Sequence, residues 1–156
     1  MITIIPDYIT NDDIDQFLQI VDWSKEVDHP SPTGIKSING LLVRPKIIYD
    51  KVNELGKTGN TELLIYNEKT RSYPHIDDES YGNNYNWTST GILFLSDPKD
   101  YEGGEFCLDH LNLKMKPTRG TYIKFKAGPN THQYMHSVKQ VIRGRRLVLV
   151  FRYTCG

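Results

Sequence analysis

Apolar positions recur at helical spacing early in the chain, and after residue 60 the spacing shortens toward two. Asn11-Asp12-Asp13 offers N-cap residues ahead of Ile14, Phe17, Leu18 and Val21. This predicts a short amphipathic helix ending near Trp23 and Ser24. Asp28 to Gly34, DHPSPTG, is turn chemistry. From Pro45 to Leu55, the positions Ile47, Ile48, Val52 and Leu55 predict a second helix. Pro45 suits its first turn, where no backbone donor is needed, and Gly56 closes it. Both helices are expected to precede every strand.

The second part reads as strands: Thr61–Tyr66, Ser72–Ile76, Thr88–Leu95, Glu105–Leu108, Leu111–Met115, Thr121–Phe125, Met135–Val138 and Arg146–Tyr153. Turn-rich stretches such as SDPKDYEGG and KAGPNT lie between them. In the last strand Arg146, Val148 and Val150 share one face, while Leu147, Leu149 and Phe151 share the other. Such a strand is buried on both sides. Two helices followed by closely spaced strands predict an α+β, mainly β domain built on a small double-sheet barrel such as a jelly roll. No helices interleave the strands, which argues against a parallel α/β sheet.

Length and composition narrow this picture. At 156 residues the chain has one-domain length, with a helical part at about 1–58 and a barrel at about 61–154. Lys plus Arg equals Asp plus Glu at 19 each, which argues against a protein held to nucleic acid or anionic membrane by overall charge. The runs Gly91–Leu95 and Leu147–Phe151 are too short to span a bilayer. The start, MITIIPDYITNDD, has neither a basic n-region nor a long apolar stretch. Cys107 and Cys155 do not make a disulfide framework. A cytoplasmic protein is expected. The abundance of tyrosine and glycine fits strands and tight turns.

Of the histidines, His75 stands out because Asp77 follows two residues later. On a strand, both side chains project to one face. Mixed nitrogen and oxygen ligands suit a borderline divalent metal, and a third imidazole completes a two-His, one-carboxylate triad. His-x-Asp alone more often marks a surface histidine beside an acidic run, here Asp77-Asp78-Glu79. The downstream stretch HSVKQVIRGRRLVLVFRY changes the balance. It places His136 ten residues before Arg146, whose planar guanidinium binds carboxylates bidentately and stays charged when buried. The plainer reading of Arg143, Arg145, Arg146 and Arg152 is a solvated basic edge. An arginine opening a strand buried on both sides instead calls for a specific anionic partner.

Together these residues resemble the 2-oxoglutarate and Fe(II)-dependent oxygenases, above all the prolyl 4-hydroxylase-like group with its PKHD-type branch. The resemblance covers roughly residues 62–153. It is carried by Tyr66 nine residues before His75, by His75-x-Asp77, by GILFLSDPKDYEGGEF from Gly91 to Phe106, and by His136-x-Val138 followed by Gly144 and Arg146. It implies a double-stranded β-helix (jelly roll, cupin-like) core with the two N-terminal helices packed on one sheet. It also implies decarboxylation of 2-oxoglutarate to succinate and CO2, coupled to hydroxylation of a second substrate by O2, with ascorbate as a stimulant. By the same resemblance His75, Asp77 and His136 hold Fe(II), Arg146 pairs with the distal carboxylate of 2-oxoglutarate, and Tyr66 hydrogen-bonds it. Arg145 is the alternative to Arg146, since a bulge near Gly144 would swap which one points inward. His132 is the alternative distal ligand but lacks the following Val and Gly. Phe94 stands where the family often has tyrosine. Tyr73 lies two residues before His75 rather than three. Gly103 and Gly104 are expected to serve a tight turn rather than a ligand.

The substrate expected is a protein, a peptide (prolyl among them) or an amino acid. Selectivity is assigned to the loops 78–86 and 126–134, with Tyr81, Tyr85 and Trp87 either touching a peptide or packing the loop. A second resemblance, to AlkB-like nucleic acid demethylases, rests on His75-Ile76-Asp77-Asp78-Glu79 and on the six-residue spacing from Arg146 to Arg152. In that family the second arginine and extra acid serve the cosubstrate and the base pocket. The YEGGE turn, the neutral charge and the lack of a basic arm weigh against it, so nucleic acid is not the expected partner. A third reading, a jelly-roll module that binds without turnover, conflicts with a complete triad plus arginine.

Overall fold

The strand Arg146–Thr154 lies inside a seven-stranded antiparallel sheet, where a strand apolar on both faces belongs. The computed structural model describes residues 1–39, 45–77 and 87–154. Its helices are α1 (Asn11–Ile20) and α2 (Lys46–Asn53). Its strands are β1 (Thr3–Ile5), β2 (Val27–Asp28), β3 (Lys36–Asn39), β4 (Thr58–Tyr66), β5 (Ser72–His75), β6 (Trp87–Phe94), β7 (Tyr101–Gly103), β8 (Phe106–Leu108), β9 (Leu113–Met115), β10 (Tyr122–Lys126), β11 (His136–Val138), β12 (Val141–Gly144) and β13 (Arg146–Thr154). The larger sheet runs β1-β10-β6-β13-β4-β3-β2, and a four-stranded sheet, β5-β11-β8-β9, faces it. β7 and β12 form a separate ribbon. The architecture is the mainly β jelly roll expected from the sequence.

Alternation along β13 and β4 divides the apolar residues into two layers. Leu147, Leu149 and Phe151 of β13, with Leu63 and Ile65 of β4, face Ile14 and Phe17 of α1 and Ile48 and Val52 of α2. Val148 and Val150, with Leu64 and Ile92, face Phe106, Leu108 and Val138 of the smaller sheet. The helices therefore cover one sheet from outside, and the space between the sheets is left for the site.

All eight expected strands are present, with shifted ends. The expectation that both helices precede every strand is wrong, because β1, β2 and β3 are interspersed with them. These short segments gain their partners from distant chain: β1 pairs with β10, and β3 pairs with β4. The α1 cap is Thr10, whose side chain accepts from Asp13 N at 3.1 Å, so Asn11-Asp12-Asp13 is the first turn. α1 stops at Ile20 rather than near Trp23. Asp22 caps a separate 3-10 turn over Trp23–Lys25 by accepting from Ser24 N at 3.1 Å. Pro45 stands at the α2 N-cap rather than within the first turn. β7 forms inside a stretch expected to be all turn, and a 3-10 turn occupies Asp109–Leu111, where a strand was expected to begin. Among the described residues, no helix is long and apolar enough to cross a membrane.

One glycine in β6 is dictated by packing. The Tyr153 hydroxyl donates to Val52 O at 3.0 Å, and Tyr122 Oη lies 2.5 Å from Tyr153 Oη. A Cβ on Gly91 would fall 1.8 Å from Tyr122 Oη. Gly91→Ala is expected to lower unfolding free energy by about 3 kcal/mol, because both hydroxyls must give up their geometry. Urea denaturation of the variant beside Tyr122→Phe checks this, since the double variant should recover part of the loss.

Candidate active site

Antiparallel pairing brings the two histidines together. β5 and β11 are neighbours with His75 opposite His136, and their rings lie 4.3 Å apart between centroids. Asp77 follows β5 and turns back toward both. Its Oδ1 is 3.3 Å from His75 Nε2 and 3.5 Å from His136 Nε2. The three candidate ligand atoms lie within 4.8 Å of one another.

Hydrogen bonding sets the state of the rings. His75 Nδ1 lies 2.7 Å from Tyr73 O, and His136 Nδ1 lies 3.0 Å from Tyr134 O. A carbonyl only accepts, so each Nδ1 carries a proton and each Nε2 presents its lone pair. Two lone pairs and a carboxylate oxygen then converge on one point, an arrangement that needs a cation. Burial works against protonation of His75, but Asp77 outweighs it and raises the imidazole above its ordinary range. In His136 burial prevails and the pKa is lowered, despite Asp77. Burial also pushes Asp77 upward, but Arg152, His136 and His75 together hold its carboxyl well below the usual range.

The other oxygen of Asp77 is occupied. Arg152 Nη1 and Thr90 Oγ1 both donate to Oδ2, the latter at 2.7 Å, and Arg152 Nη1 lies 2.9 Å from Thr90 Oγ1. Oδ1 alone is left for the imidazoles. Arg152 also stacks 4.7 Å from the Trp87 ring centre. Arg152 lies 75 residues from Asp77 along the chain, and its role here was missed. Its spacing from Arg146 was noticed, but only the fold shows which carboxylate it meets. Thr90 carried no such signal.

The triad opens into a cavity of about 810 Å³ between the sheets, lined by Tyr66, Ile92, Arg146, Val148, Val150 and Arg152 among others. Arg146 and Tyr66 are register partners on β13 and β4. Arg146 is 2% exposed, and its Nε and Nη1 have no hydrogen-bond partner. Its guanidinium lies 4.8 Å from the Tyr66 ring centre and 5.5 Å from that of Phe94, and the Tyr101 phenol is close enough to feel its charge. A buried cation with two idle donors fits an anionic ligand that accepts from both. Burial raises the Tyr66 phenol above its ordinary pKa although Arg146 pulls it down, so it is a neutral donor. Arg145 points elsewhere, with its guanidinium 4.4 Å from the Trp23 ring centre. Arg143 pairs at the surface with Glu102.

Other expected residues sort plainly. His132 is exposed and outside the triad. Phe94 leaves its position without a phenol, and Tyr101 reaches Arg146 from β7 instead. Tyr73 lines the cavity and is 56% exposed, with Arg71 stacked on its ring. Gly103 and Gly104 both have positive φ, as a tight turn requires, and a Cβ on Gly104 would sit 3.2 Å from Arg146 Cδ. The segment 126–134 does not line the cavity but supports the triad, with Gly128 N donating to Asp77 O at 2.6 Å. The other wall is the turn of residues 29–35 between β2 and β3, which the sequence marked only as turn chemistry. Tyr81, Tyr85, Asp78, Glu79 and the rest of 78–86 lie outside the described residues, as does Cys155.

The jelly roll is the fold of the 2-oxoglutarate–Fe(II) oxygenases. A viral collagen prolyl hydroxylase from Paramecium bursaria Chlorella virus-1, solved with 2-oxoglutarate, superposes with a TM-score of 0.75 at 15% identity, covering 97% of this chain and 94% of that one. A Trichoplax adhaerens prolyl hydroxylase, solved with a hypoxia-inducible-factor peptide, gives 0.76 at 14%, covering 97% and 83%. A Pseudomonas putida prolyl 4-hydroxylase gives 0.69 at 14%, covering 99% and 93%. At these identities the likeness is one of fold. No family model matches the chain.

Sequence relatives are more particular. A PKHD-type hydroxylase of Prochlorococcus marinus is 32% identical over 133 residues, 74% of this chain and 58% of the relative. Another, from Maricaulis maris, is 39% identical over 80 residues, 49% of this chain and 33% of the relative. The chain thus spans little more than half the first relative and a third of the second. Its curated relatives are thus PKHD-type hydroxylases and its structural neighbours prolyl hydroxylases, consistent with a prolyl 4-hydroxylase-like, PKHD-type oxygenase.

Proposed function

We propose that the protein is a 2-oxoglutarate- and Fe(II)-dependent dioxygenase that hydroxylates a peptide, protein or amino-acid substrate. The observation that carries this reading is one cavity holding both a lone-pair triad and a buried arginine with idle donors. His75, Asp77 and His136 would hold the metal, and Arg146 the distal carboxylate of the cosubstrate. When bound, Fe(II) and 2-oxoglutarate supply the O2-dependent oxidation of a C–H bond, with release of succinate and CO2. The chain contributes geometry. Thr90 and Arg152 keep Asp77 presenting Oδ1, and the backbone carbonyls of Tyr73 and Tyr134 fix the imidazole tautomers. Tyr66 donates beside Arg146. Leu64, Ile92, Val148 and Val150 make a dry wall between the two charged ends of the site.

Anaerobic addition of Fe(II) and 2-oxoglutarate is expected to give a weak visible charge-transfer band. Aerobic succinate release should require the metal, and ascorbate should sustain it. Proline-containing peptides, free amino acids and methylated oligonucleotides are compared as stimulants. Stimulation by peptides or amino acids supports the reading, and stimulation by oligonucleotides alone overturns the substrate class. Absence of both the band and any metal-dependent 2-oxoglutarate turnover overturns the activity.

A further inference from the structure

The inner face of the β4–β13 pair carries a charge gradient. In register from the deep end, the pairs are Tyr66 with Arg146, Leu64 with Val148, and Glu62 with Val150. Glu62 lies four residues from Tyr66, roughly 13 Å along the strand. The deep end is cationic, the middle apolar and the outer end anionic.

Among the described residues, the Glu62 carboxylate has no countercharge. Its nearest charged or titratable partner is His29, with Nε2 3.9 Å from Oε2. Among the described residues, no lysine or arginine is within ion-pair distance of it. His29 Nδ1 accepts from Ser31 N at 3.2 Å, so its proton sits on Nε2, facing Glu62. Burial, with Arg152 and His75 nearby, lowers the His29 pKa although Glu62 opposes this, so the ring is neutral at pH 7. Arg152, which also lines the cavity, is committed to Asp77 and Thr90. Glu62 is thus a net negative charge lining the cavity, and its side chain is 35% exposed, which leaves it reachable. Pro30 and Pro32 of the 29–35 turn line the same cavity, which adds apolar surface to it.

We propose that Glu62 selects a substrate bearing an ammonium or guanidinium group, which docks at the outer end of the cavity while the reacting carbon lies at the triad. The inference rests on the hydroxylase reading and narrows its substrate class. Arg146 takes the cosubstrate carboxylate at one end, and Glu62 takes the substrate cation at the other. A basic side chain in a peptide and a free basic amino acid share this chemistry.

The test uses the whole chain with Fe(II), 2-oxoglutarate and O2. Peptide pools with one fixed lysine are compared with pools carrying norleucine, its neutral isostere, and free L-lysine and L-arginine form a second arm. The lysine pool should show a KM about tenfold below the norleucine pool, the size of one charge-assisted hydrogen bond. In Glu62→Gln the ratio should fall to about one, and Glu62→Lys should favour a pool with fixed glutamate. Stimulation by the free amino acids at similar KM identifies them as the source, and stimulation by peptides alone identifies a peptide. A ratio near one in the parent, or one that survives in Glu62→Gln, overturns the inference. The ratio is also read without turnover, by anisotropy of labelled pools on Zn(II)-loaded protein. Selective binding with no succinate release would sink the activity but keep the inference, and succinate release without selectivity would do the reverse.

Discussion

Arg146→Met is expected to give a protein that melts at a higher temperature than the parent without ligand, yet no longer responds to 2-oxoglutarate. The first half follows from burial. Arg146 is 2% exposed and leaves Nε and Nη1 without partners. Each idle buried donor costs about 1–3 kcal/mol, and more where the group is charged. Its contacts with Tyr66 and Phe94 return about 1 kcal/mol each, and the nearby Tyr101 phenol returns no more than that. Methionine retains the apolar packing without the charge. A net gain of about 1–2 kcal/mol is expected, read as a rise of about 2–6 °C. The second half follows from the lost fork: affinity for 2-oxoglutarate should fall about a hundredfold. Differential scanning fluorimetry with and without 2-oxoglutarate, on protein loaded with a redox-inactive divalent ion, reads both effects. A lower melting temperature with 2-oxoglutarate stabilisation intact would place the cosubstrate elsewhere.

Asp77→Asn carries the other large effect, on the metal end. The amide keeps the shape but removes the charge that His75, His136 and Arg152 share. Loss of that ligand charge should lower metal-dependent turnover more than about a thousandfold. It also strands Arg152, whose side chain is 15% exposed, and costs the metal-free protein about 3–5 kcal/mol. Adding Arg152→Met should restore much of that stability and none of the turnover, because the stranded cation is gone while the carboxylate is still missing. The acid limb gives a second check. The Asp77 pKa is depressed by folding, so its contribution is present above the unfolded value of about 3.9 and lost as pH falls through the folded one. Metal-free Asp77→Asn should lack that part of the acid decline. Urea unfolding from pH 7 to pH 3 measures it, and an unchanged acid limb would mean that Arg152 does not hold the carboxylate.

The four residues most exposed to these tests were legible because their relations are local. His75 and Asp77 are two residues apart at the end of one strand, and His136 and Arg146 are ten apart across one turn. The alternation in Arg146–Phe151 also showed that this strand is covered on both sides, and the two layers of core follow it residue by residue. The choice between Arg145 and Arg146 stayed open because it depends on the path of the chain at Gly144, whose φ of 84° is set by packing against Asp100 and Tyr101. The β-strands at the N-terminal end were missed because three or four residues carry too little pattern without a partner, and the partner lies far along the chain.

The sequence by itself determined the strand-rich class and the double-sided burial of the last strand, and it marked the residues of the candidate metal and carboxylate sites, since each is written in spacings of two to ten residues. The tertiary structure alone decided what lies opposite what. It set Arg152 and Thr90 on the far oxygen of Asp77, Tyr101 on Arg146, and Glu62 at the mouth beside a neutral His29. Those pairings join residues 13 to 75 positions apart in the chain, and only the closing of one sheet over another brings their charges within reach.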